Sequence, residues 1–287
     1  MIDCLTAGDR QIDLSIPVCM GIINATPDSF SDGAELQRSG TTSFQLDIDK
    51  ALFRAETMVA EGATFVDVGG ESTRPGAATV SEQEELDRVI PLIAAISASL
   101  DVCVSIDTSS PVVMKEALDS GAQLINDIRA LAIPGAAELL ASTKAAVCLM
   151  HMQGAPSTMQ KTPSYGSVVL EVFDFLKSRV AYSLECGIEQ DRLLIDPGFG
   201  FGKTVQHNYQ LLKNLGYFSQ LEIPLLVGLS RKSMIGEVVA RPVEQRLAGS
   251  IAATTLALAS GARIIRTHDV AATMDAIRVN LAYSSAE

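Results

Sequence analysis

The chain has 287 residues, 47% of them hydrophobic and none of them tryptophan, which is enough for a large aliphatic core. Its net charge of −12 argues against a nucleic acid or an anionic membrane surface as a partner, so an anionic substrate would need a local cluster of cations. No stretch reaches the roughly 20 apolar residues of a membrane crossing, and the N-terminus shows no signal-peptide pattern. We therefore expect a cytoplasmic protein.

Eight short apolar runs, separated by segments long enough for a helix, follow one another along the chain. They span residues 18–24, 64–70, 102–107, 124–128, 146–152, 193–198, 224–230 and 263–268. This alternation predicts an α/β fold of the (β/α)₈ type, a closed parallel TIM barrel. Such a barrel needs about 250 residues, so we expect a single domain over 1–287, with the barrel proper at about 18–283.

Helix boundaries are indicated by capping residues. Ser81 with Glu84 resembles a capping box, and Ser110 before Pro111 is typical of a helix start. Four glycines stand where helices should end, because glycine enters the left-handed conformation without steric cost. They are Gly62, Gly121, Gly187 and Gly261.

Three connections that should lie at the barrel mouth are unusually long or polar. They follow the first, second and fifth runs, at residues 25 to about 42, 69–79 and 153–165. Loops longer than about 12 residues in a compact domain are often functional lids. The five cysteines show neither a C-x-x-C motif nor a Cys/His ligand spacing, so free thiols in a reducing compartment are expected.

A cationic cluster is predicted at the last strand. Arg266 and His268 are two residues apart, so both side chains should project to the same side of the strand. A surface salt bridge would also explain them, but the phosphate site common near strands 7 and 8 of such barrels favours anion binding. Arg74 would add a second guanidinium, suited to a diphosphate. Asn24 offers a neutral oxygen ligand for Mg²⁺.

An acidic and amide cluster follows from other strand ends. Asp107, Asn126 and Asp196 end the third, fourth and sixth runs. They could pair with Lys232 or Arg129 to hold the barrel together. Alternatively, their carboxylates could accept paired N–H bonds from a 2-amino-4-oxo-pyrimidine ring, with Lys232 donating to the ring carbonyl. The apolar walls of such a pocket would be Ile128, Met150, Phe199 and Phe201.

Eight motifs at these strand ends together resemble the signatures of the dihydropteroate synthase family. They are INATPDSFSDG at 23–33, DVGGESTRPG at 67–76, SIDT at 105–108, NDI at 126–128, MHM at 150–152, DPGFGFGK at 196–203, GLSRKS at 228–233 and RTH at 266–268. The resemblance covers essentially the whole chain, and no motif position departs from the family pattern.

The resemblance implies that the protein condenses 6-hydroxymethyl-7,8-dihydropterin diphosphate with p-aminobenzoate to give 7,8-dihydropteroate and pyrophosphate, a step of folate biosynthesis. It also implies a sulfonamide target that uses Mg²⁺ and forms a homodimer; an Ala-rich face with Ala248, Ala252 and Ala259 could pack a partner helix. The implied pterin pocket comprises Asp107, Asn126, Ile128, Met150, Asp196, Phe201, Gly228 and Lys232. The implied diphosphate and metal site comprises Asn24, Arg74, Arg266 and His268, with Asn24 as the metal ligand. The implied p-aminobenzoate site comprises Phe30, Thr73, Pro75, Lys232 and Ser233.

The implied catalytic residues are Asp107, Lys232, Arg266 and His268, and none of them is a nucleophile, because the amine of p-aminobenzoate attacks. Three other functions stay open. A pterin-dependent methyltransferase of the same barrel type would share the acidic pocket without needing the cations around a leaving diphosphate. An inactive pterin-binding homologue would bind without turnover, and an aldolase would use Lys232 for a Schiff base.

Overall fold

The computed structural model describes residues 3–26, 36–37, 45–71 and 80–286. Within these residues, a two-stranded antiparallel hairpin precedes eight parallel strands. The hairpin strands are β1 (Cys4–Ala7) and β2 (Arg10–Asp13). The parallel strands are β3 (Val18–Asn24), β4 (Phe65–Gly69), β5 (Cys103–Asp107), β6 (Leu124–Asp127), β7 (Ala146–Met150), β8 (Leu193–Asp196), β9 (Leu226–Gly228) and β10 (Ile264–Thr267).

The parallel strands form a nearly closed barrel in the order β8-β7-β6-β5-β4-β3-β10-β9. The two ends of this order meet where the Ile195 N–H donates to the Pro224 carbonyl at 3.1 Å, beside a single bridge between Ile195 and Leu225. Each of the eight predicted runs contains one strand, so the predicted (β/α)₈ barrel is confirmed.

Helices separate the strands. In the described residues they are α1 (Ile48–Ala60), α2 (Glu82–Ser99), α3 (Pro111–Asp119), α4 (Ala136–Ala141), α5 (Val168–Glu185), α6 (Val205–Lys213), α7 (Ser233–Val239), α8 (Leu247–Ala259) and α9 (Val270–Ser284). Ser81 and Ser110 cap α2 and α3 as predicted. The four predicted helix-ending glycines have φ between +93° and +107°, the left-handed conformation that glycine tolerates.

Two apolar cores flank the sheet. The larger lies between the strands and the helices. The smaller fills the inside of the barrel with side chains such as Met20, Phe65 and Leu194. Three residues of the N-terminal segment, Leu5, Ala7 and Leu14, belong to this inner core and are fully buried. The hairpin therefore seals the amino-terminal end of the barrel.

The hairpin was not among the predicted strands, and it places Cys4 in β1. Of the long loops, the one after β7 runs through residues 151–167 without a strand or helix, as predicted. The loops after β3 and β4 fall largely on residues 27–35, 38–44 and 72–79, outside the described residues. All five cysteines are free thiols. In the described parts of the chain, no helix has the length and apolar character needed to cross a membrane.

Candidate active site

The predicted site residues come together at the carboxyl ends of the strands because the strand register aligns them. Asp107, the last residue of β5, pairs with Asn126 on β6. Asp196, the last residue of β8, pairs with Met150 on β7. Arg266 on β10 pairs with Gly228 on β9. Side chains far apart in sequence thus lie together around the mouth of the barrel.

Arg266 joins two of the acidic side chains. Its Nε lies 2.6 Å from Asp67 Oδ2, and its Nη2 lies 2.9 Å from Asp107 Oδ2. Burial raises the pKa of the Asp107 carboxyl to about 7, while the Arg266 guanidinium acts in the opposite direction. Of the predicted acidic cluster, Asp107 therefore pairs with Arg266, whereas Lys232, considered from sequence, acts on Asp196.

Lys232 lies next to Asp196 and to the loop that follows it. Its Nζ donates to the Phe199 carbonyl at 2.5 Å and stands 5.0 Å from the centre of the Phe201 ring. Burial lowers the pKa of the Lys232 ammonium to about 8, and the charge of Asp196 opposes this shift. Asp196 Oδ1 accepts the Gly198 N–H at 2.7 Å. A Cβ on Gly228 would lie 3.7 Å from Lys232 Nζ, an ordinary van der Waals distance, so Gly228 lies directly beside the ammonium.

The four apolar residues predicted to line the pocket do not all lie at the mouth of the barrel. Ile128 and Met150, both at least 95% buried, lie at or just beyond the ends of β6 and β7. The Phe201 ring faces Lys232. Phe199 is fully buried in the core between sheet and helices, so its predicted place in the pocket wall is wrong. The chain turns through positive φ at Gly198 and Gly200, which sends the two phenylalanines in different directions.

Asn24 and His268 lie side by side at the mouth. Asn24 Nδ2 is 3.5 Å from His268 Nε2. The other ring nitrogen of His268, Nδ1, is 3.0 Å from Ser230 Oγ, and Arg54 donates to the His268 carbonyl at 2.8 Å. These contacts hold the imidazole next to Asn24, beside the end of β3.

The donor set around Asn24 suits only one kind of metal site. Across the described residues, no group of three or more His, Cys, Asp or Glu side chains could hold a metal ion. Mg²⁺ commonly keeps several waters and takes further oxygens from substrate phosphates. A single neutral oxygen from Asn24 fits such an ion, provided that a diphosphate and water supply the other ligands.

The predicted p-aminobenzoate residues are only partly visible. Ser233 begins α7 directly after Lys232, and its side chain is exposed. The other predicted members of this site, and one diphosphate residue, lie outside the described residues. These are Phe30, Thr73, Pro75 and Arg74.

Two buried groups were not assigned a role from sequence. Asp67, in the middle of β4, is fully buried and pairs with Arg266; a carboxylate within a buried strand needs partners, which was the available signal. Lys203 is 3% exposed and donates to the carbonyls of Gly198 at 2.8 Å and Phe201 at 3.0 Å. Lys203 therefore fixes the shape of the loop that carries Phe201.

His151 completes the contacts of Lys203. Its Nδ1 is 2.9 Å from Lys203 Nζ. Burial lowers the pKa of Lys203 to about 7. Burial, together with the charge of Lys203, lowers the pKa of His151 to about 3. A neutral imidazole can accept the bond from the amine, so this pair serves the loop rather than proton transfer to a ligand.

Comparison with known proteins identifies the family of this chain. A family model described as pterin binding enzyme matches residues 20–268. The dihydropteroate synthase of Haemophilus influenzae is 52% identical over 275 residues, which cover 96% of this chain and 97% of that protein.

Solved structures agree as well. The Yersinia pestis dihydropteroate synthase in a sulfonamide drug complex is similar with a TM-score of 0.93 and 49% identity, covering 99% of this chain and 100% of that one. The Xanthomonas albilineans dihydropteroate synthase in complex with 7,8-dihydropteroate has a TM-score of 0.86 and 40% identity, with both chains fully covered. The chain belongs to the pterin binding enzymes and, within them, to the dihydropteroate synthase family.

Proposed function

We propose that the protein joins p-aminobenzoate to 6-hydroxymethyl-7,8-dihydropterin diphosphate and releases 7,8-dihydropteroate and pyrophosphate, a step of folate biosynthesis. The observation that carries this proposal is that Asp107, Asn126 and Asp196 all stand at or next to the carboxyl ends of their strands, with Lys232 close to both carboxylates. A row of oxygen acceptors beside one ammonium complements the N–H groups and the carbonyl of a pterin ring. Membership of the family supports the same reaction.

The pterin would lie against the two carboxylates and Asn126. Asp107 and Asp196 offer acceptors to the ring N–H groups, and Lys232 donates to the ring carbonyl. Phe201, Met150, Ile128 and Gly228 would enclose the ring faces. The closeness of Phe201 to the Lys232 ammonium supports this arrangement, because an aromatic wall and a donor then meet the same ligand.

The reaction needs no nucleophile from the protein. The amine nitrogen of p-aminobenzoate forms a bond to the exocyclic carbon of the pterin, the bond from that carbon to the diphosphate oxygen breaks, and the amine loses a proton. Positive charge develops on the pterin as the diphosphate leaves. The Asp107 carboxylate would stabilise this charge, and preorganised charge of this kind is a large contributor to catalysis.

Arg266, His268 and Arg74 would hold the leaving diphosphate, with Asn24 contributing one oxygen to Mg²⁺. When bound, that ion would supply positive charge against the departing diphosphate oxygens. The contact between Asn24 and His268 supports a common site for these two residues. Arg266 would contact the diphosphate directly. It would also influence the pterin pocket, because its guanidinium pairs with the Asp107 carboxylate.

The p-aminobenzoate would bind beside Lys232 and Ser233, with Phe30, Thr73 and Pro75 as further contacts. The exposed position of Ser233 at the start of α7 supports an approach from solvent. This placement brings the attacking amine to the open side of the pterin.

We also propose a homodimer formed through α8 and α9, which pack against each other. Ala248, Ala252, Leu256 and Ala259 are all exposed on α8. On α9, Val279 and Tyr283 are 64% and 76% exposed. Apolar side chains grouped on neighbouring helices are typical of a protein interface.

A pyrophosphate-release assay with both substrates tests the proposed reaction. Release should require the pterin diphosphate, p-aminobenzoate and Mg²⁺ together, and the organic product should be 7,8-dihydropteroate. Binding of the pterin without any release would indicate the inactive homologue. Labelling of Lys232 by borohydride in the presence of a carbonyl substrate would indicate an aldolase.

A further inference from the structure

We propose that Asp67 is a positioning residue: through hydrogen bonds to Asn126 and Arg266, it determines how Asn126 meets the pterin and how Arg266 meets the diphosphate. Asp67 is fully buried and lies in the middle of β4, away from the strand end. The inference rests on the proposed pterin pocket, and it assigns a role in that pocket to a side chain below it.

The contacts of Asp67 join four strands of the barrel. Its Oδ1 accepts the Ser105 hydroxyl of β5 at 2.5 Å. Its Oδ2 accepts the Asn126 amide of β6 at 3.1 Å and the Arg266 guanidinium of β10 at 2.6 Å. The Asp67 carboxylate on β4 thus links β5 and β6, on one side of β4, to β10, which lies beyond β3 on the other side.

The contact with Asn126 fixes the direction of its amide group. An ionised carboxylate has acceptors only, so it meets the amide nitrogen and not the amide oxygen. The nitrogen of Asn126 is therefore held on the side of Asp67, and the oxygen is directed away from it. If the amide turned over, two acceptors would face each other in a buried site, which is costly.

This direction has a consequence for the ligand. With the Asn126 oxygen held away from Asp67, the row formed with Asp107 and Asp196 presents acceptors at all three positions. Such a row favours a ring edge rich in N–H groups and disfavours an analogue that lacks them. Asp67 thereby contributes to substrate discrimination without touching the ligand.

The contact with Arg266 fixes the plane of the guanidinium. Arg266 Nε donates to Asp67, and Arg266 Nη2 donates to Asp107, so the guanidinium is held at two separate points. A planar fork held at two points keeps one orientation. Because Arg266 also belongs to the proposed diphosphate site, loss of Asp67 should disturb pterin diphosphate binding more than p-aminobenzoate binding.

The test compares Asp67→Asn with Ser105→Ala. Ser105→Ala removes one hydrogen bond to the buried Asp67 carboxylate, whereas only Asp67→Asn alters the group that Asn126 and Arg266 contact. Near-UV circular dichroism first establishes native packing at the assay temperature. Asp67→Ser is measured in parallel, so that a neutral side chain is available if the asparagine variant does not fold.

Two quantities are measured. Calorimetry gives the affinity ratio between 6-hydroxymethylpterin and its analogue without the 2-amino group. Steady-state kinetics gives the KM for each substrate. In Asp67→Asn, we expect the affinity ratio to fall by about tenfold or more, and kcat/KM for the pterin diphosphate to fall by roughly 10-fold to 100-fold. The KM for p-aminobenzoate should stay within about twofold, and Ser105→Ala should retain the wild-type ratio.

Four results separate the outcomes. An unchanged ratio in folded Asp67→Asn, or an equal loss for both substrates, would overturn the positioning role. The same fall in Ser105→Ala would assign the effect to general loosening of the strands and would also overturn it. A wild-type protein that does not bind the pterin would instead contradict the proposed function.

Discussion

Arg266 lies between two carboxylates at the mouth of the barrel, and its single positive charge does not neutralise both of them. Asp107 is the less buried of the two, with 14% of its side chain exposed against none for Asp67. Asp107 thus combines a place at the mouth of the barrel with a charge that is incompletely compensated. A carboxylate in this situation can stabilise a developing cation.

Replacing Asp107 by Asn should therefore reduce turnover by roughly 10² to 10³, the scale of losing one electrostatic partner of the transition state. The pterin should still bind, because the amide retains one acceptor oxygen. Single-turnover kinetics and calorimetry measure the two effects separately. Full activity in a correctly folded Asp107→Asn protein would exclude Asp107 from the mechanism.

Arg266→Ala should lower the free energy of unfolding by about 3 kcal/mol, because it leaves two buried carboxylates without their shared cation. Urea denaturation measures the change. Arg278→Ala is the matched control: Arg278 pairs with Asp275 where both side chains are more than 65% exposed, so it should cost less than about 1 kcal/mol. Equal effects of the two substitutions would contradict the structural role given to Arg266.

Glu85 on α2 lowers the stability of the folded protein in a pH-dependent way. It is 6% exposed, and its Oε1 has no hydrogen-bond partner among the described residues. Burial raises the pKa of Glu85 to about 7; Glu71 and Glu82 add to this shift, whereas Thr108 and Arg88 oppose it. The folded state therefore holds its proton to higher pH than the unfolded state does, and the stability contributed by this group falls as pH rises from about 4.5 to about 7.

Glu85→Gln should accordingly stabilise the protein by about 1–3 kcal/mol at pH 8, where the wild-type carboxylate is ionised and buried. At pH 4 both states of the wild type hold the proton, so the gain should vanish. Urea denaturation at the two pH values measures the difference, with exposed Glu56→Gln as the control. A gain that does not depend on pH would refute this account.

At the scale of elements, the N-terminal hairpin β1–β2 is part of the inner core. Leu5 is fully buried against the barrel interior. The rim of the hairpin is held by Thr6, whose hydroxyl donates to Asp191 at 2.6 Å, and by Arg10, which pairs with Asp101 at 2.7 Å. The exposed ion pair adds little, so apolar burial attaches the hairpin.

Leu5→Ala should therefore destabilise the protein by about 2–5 kcal/mol, as is usual when a buried leucine is truncated. Ile16→Ala provides the comparison, because Ile16 is 50% exposed in the adjoining segment. That substitution should change the free energy of unfolding by less than about 1 kcal/mol. If the hairpin were not part of the core, urea denaturation would show small and similar losses in the free energy of unfolding for Leu5→Ala and Ile16→Ala.

The elements differ in how well sequence predicts them. The barrel strands were predictable because each apolar run is several residues long and the helices before β4, β6, β8 and β10 end at a glycine. The hairpin was not, because its strands have four residues each and β2 reads RQID, whose polar residues give a weak pattern. Its burial depends on the barrel end that it covers, which is a property of the folded molecule.

The site shows the same division. Side chains at strand ends were predictable as a group, since parallel strands place their carboxyl ends on one face. The pairing of Arg266 with Asp67 was not, because 199 residues separate them and only closure of the barrel brings β10 close to β4. Phe199 was misplaced for a related reason: the positive φ at Gly198 and Gly200 decides which phenylalanine turns outward.

On the scale of the whole molecule, several exposed apolar side chains are grouped on α8 and α9. Leu256 is 57% exposed near the end of α8, and Val279 and Tyr283 extend the patch on α9. The rest of the chain carries a strong negative charge, which would keep copies apart without such a patch.

The single domain over 1–287 stays a prediction.

Leu256→Glu should shift the protein from dimer to monomer, because it places a charge in the proposed interface. Sedimentation equilibrium over a concentration range measures the association. Phe53→Glu is a suitable control, since Phe53 is 69% exposed on α1 and lies outside the patch. A wild-type monomer at all concentrations, or the same shift in both variants, would exclude this interface.

The sealed end of the barrel also determines the route by which substrates enter and products leave. In the described part of the chain, Leu5, Ala7 and Leu14 close the amino-terminal end of the barrel, so both products should leave through the mouth by which the substrates enter. A product that leaves slowly blocks the next substrate at this mouth, and product release can then limit the turnover rate together with the chemical step.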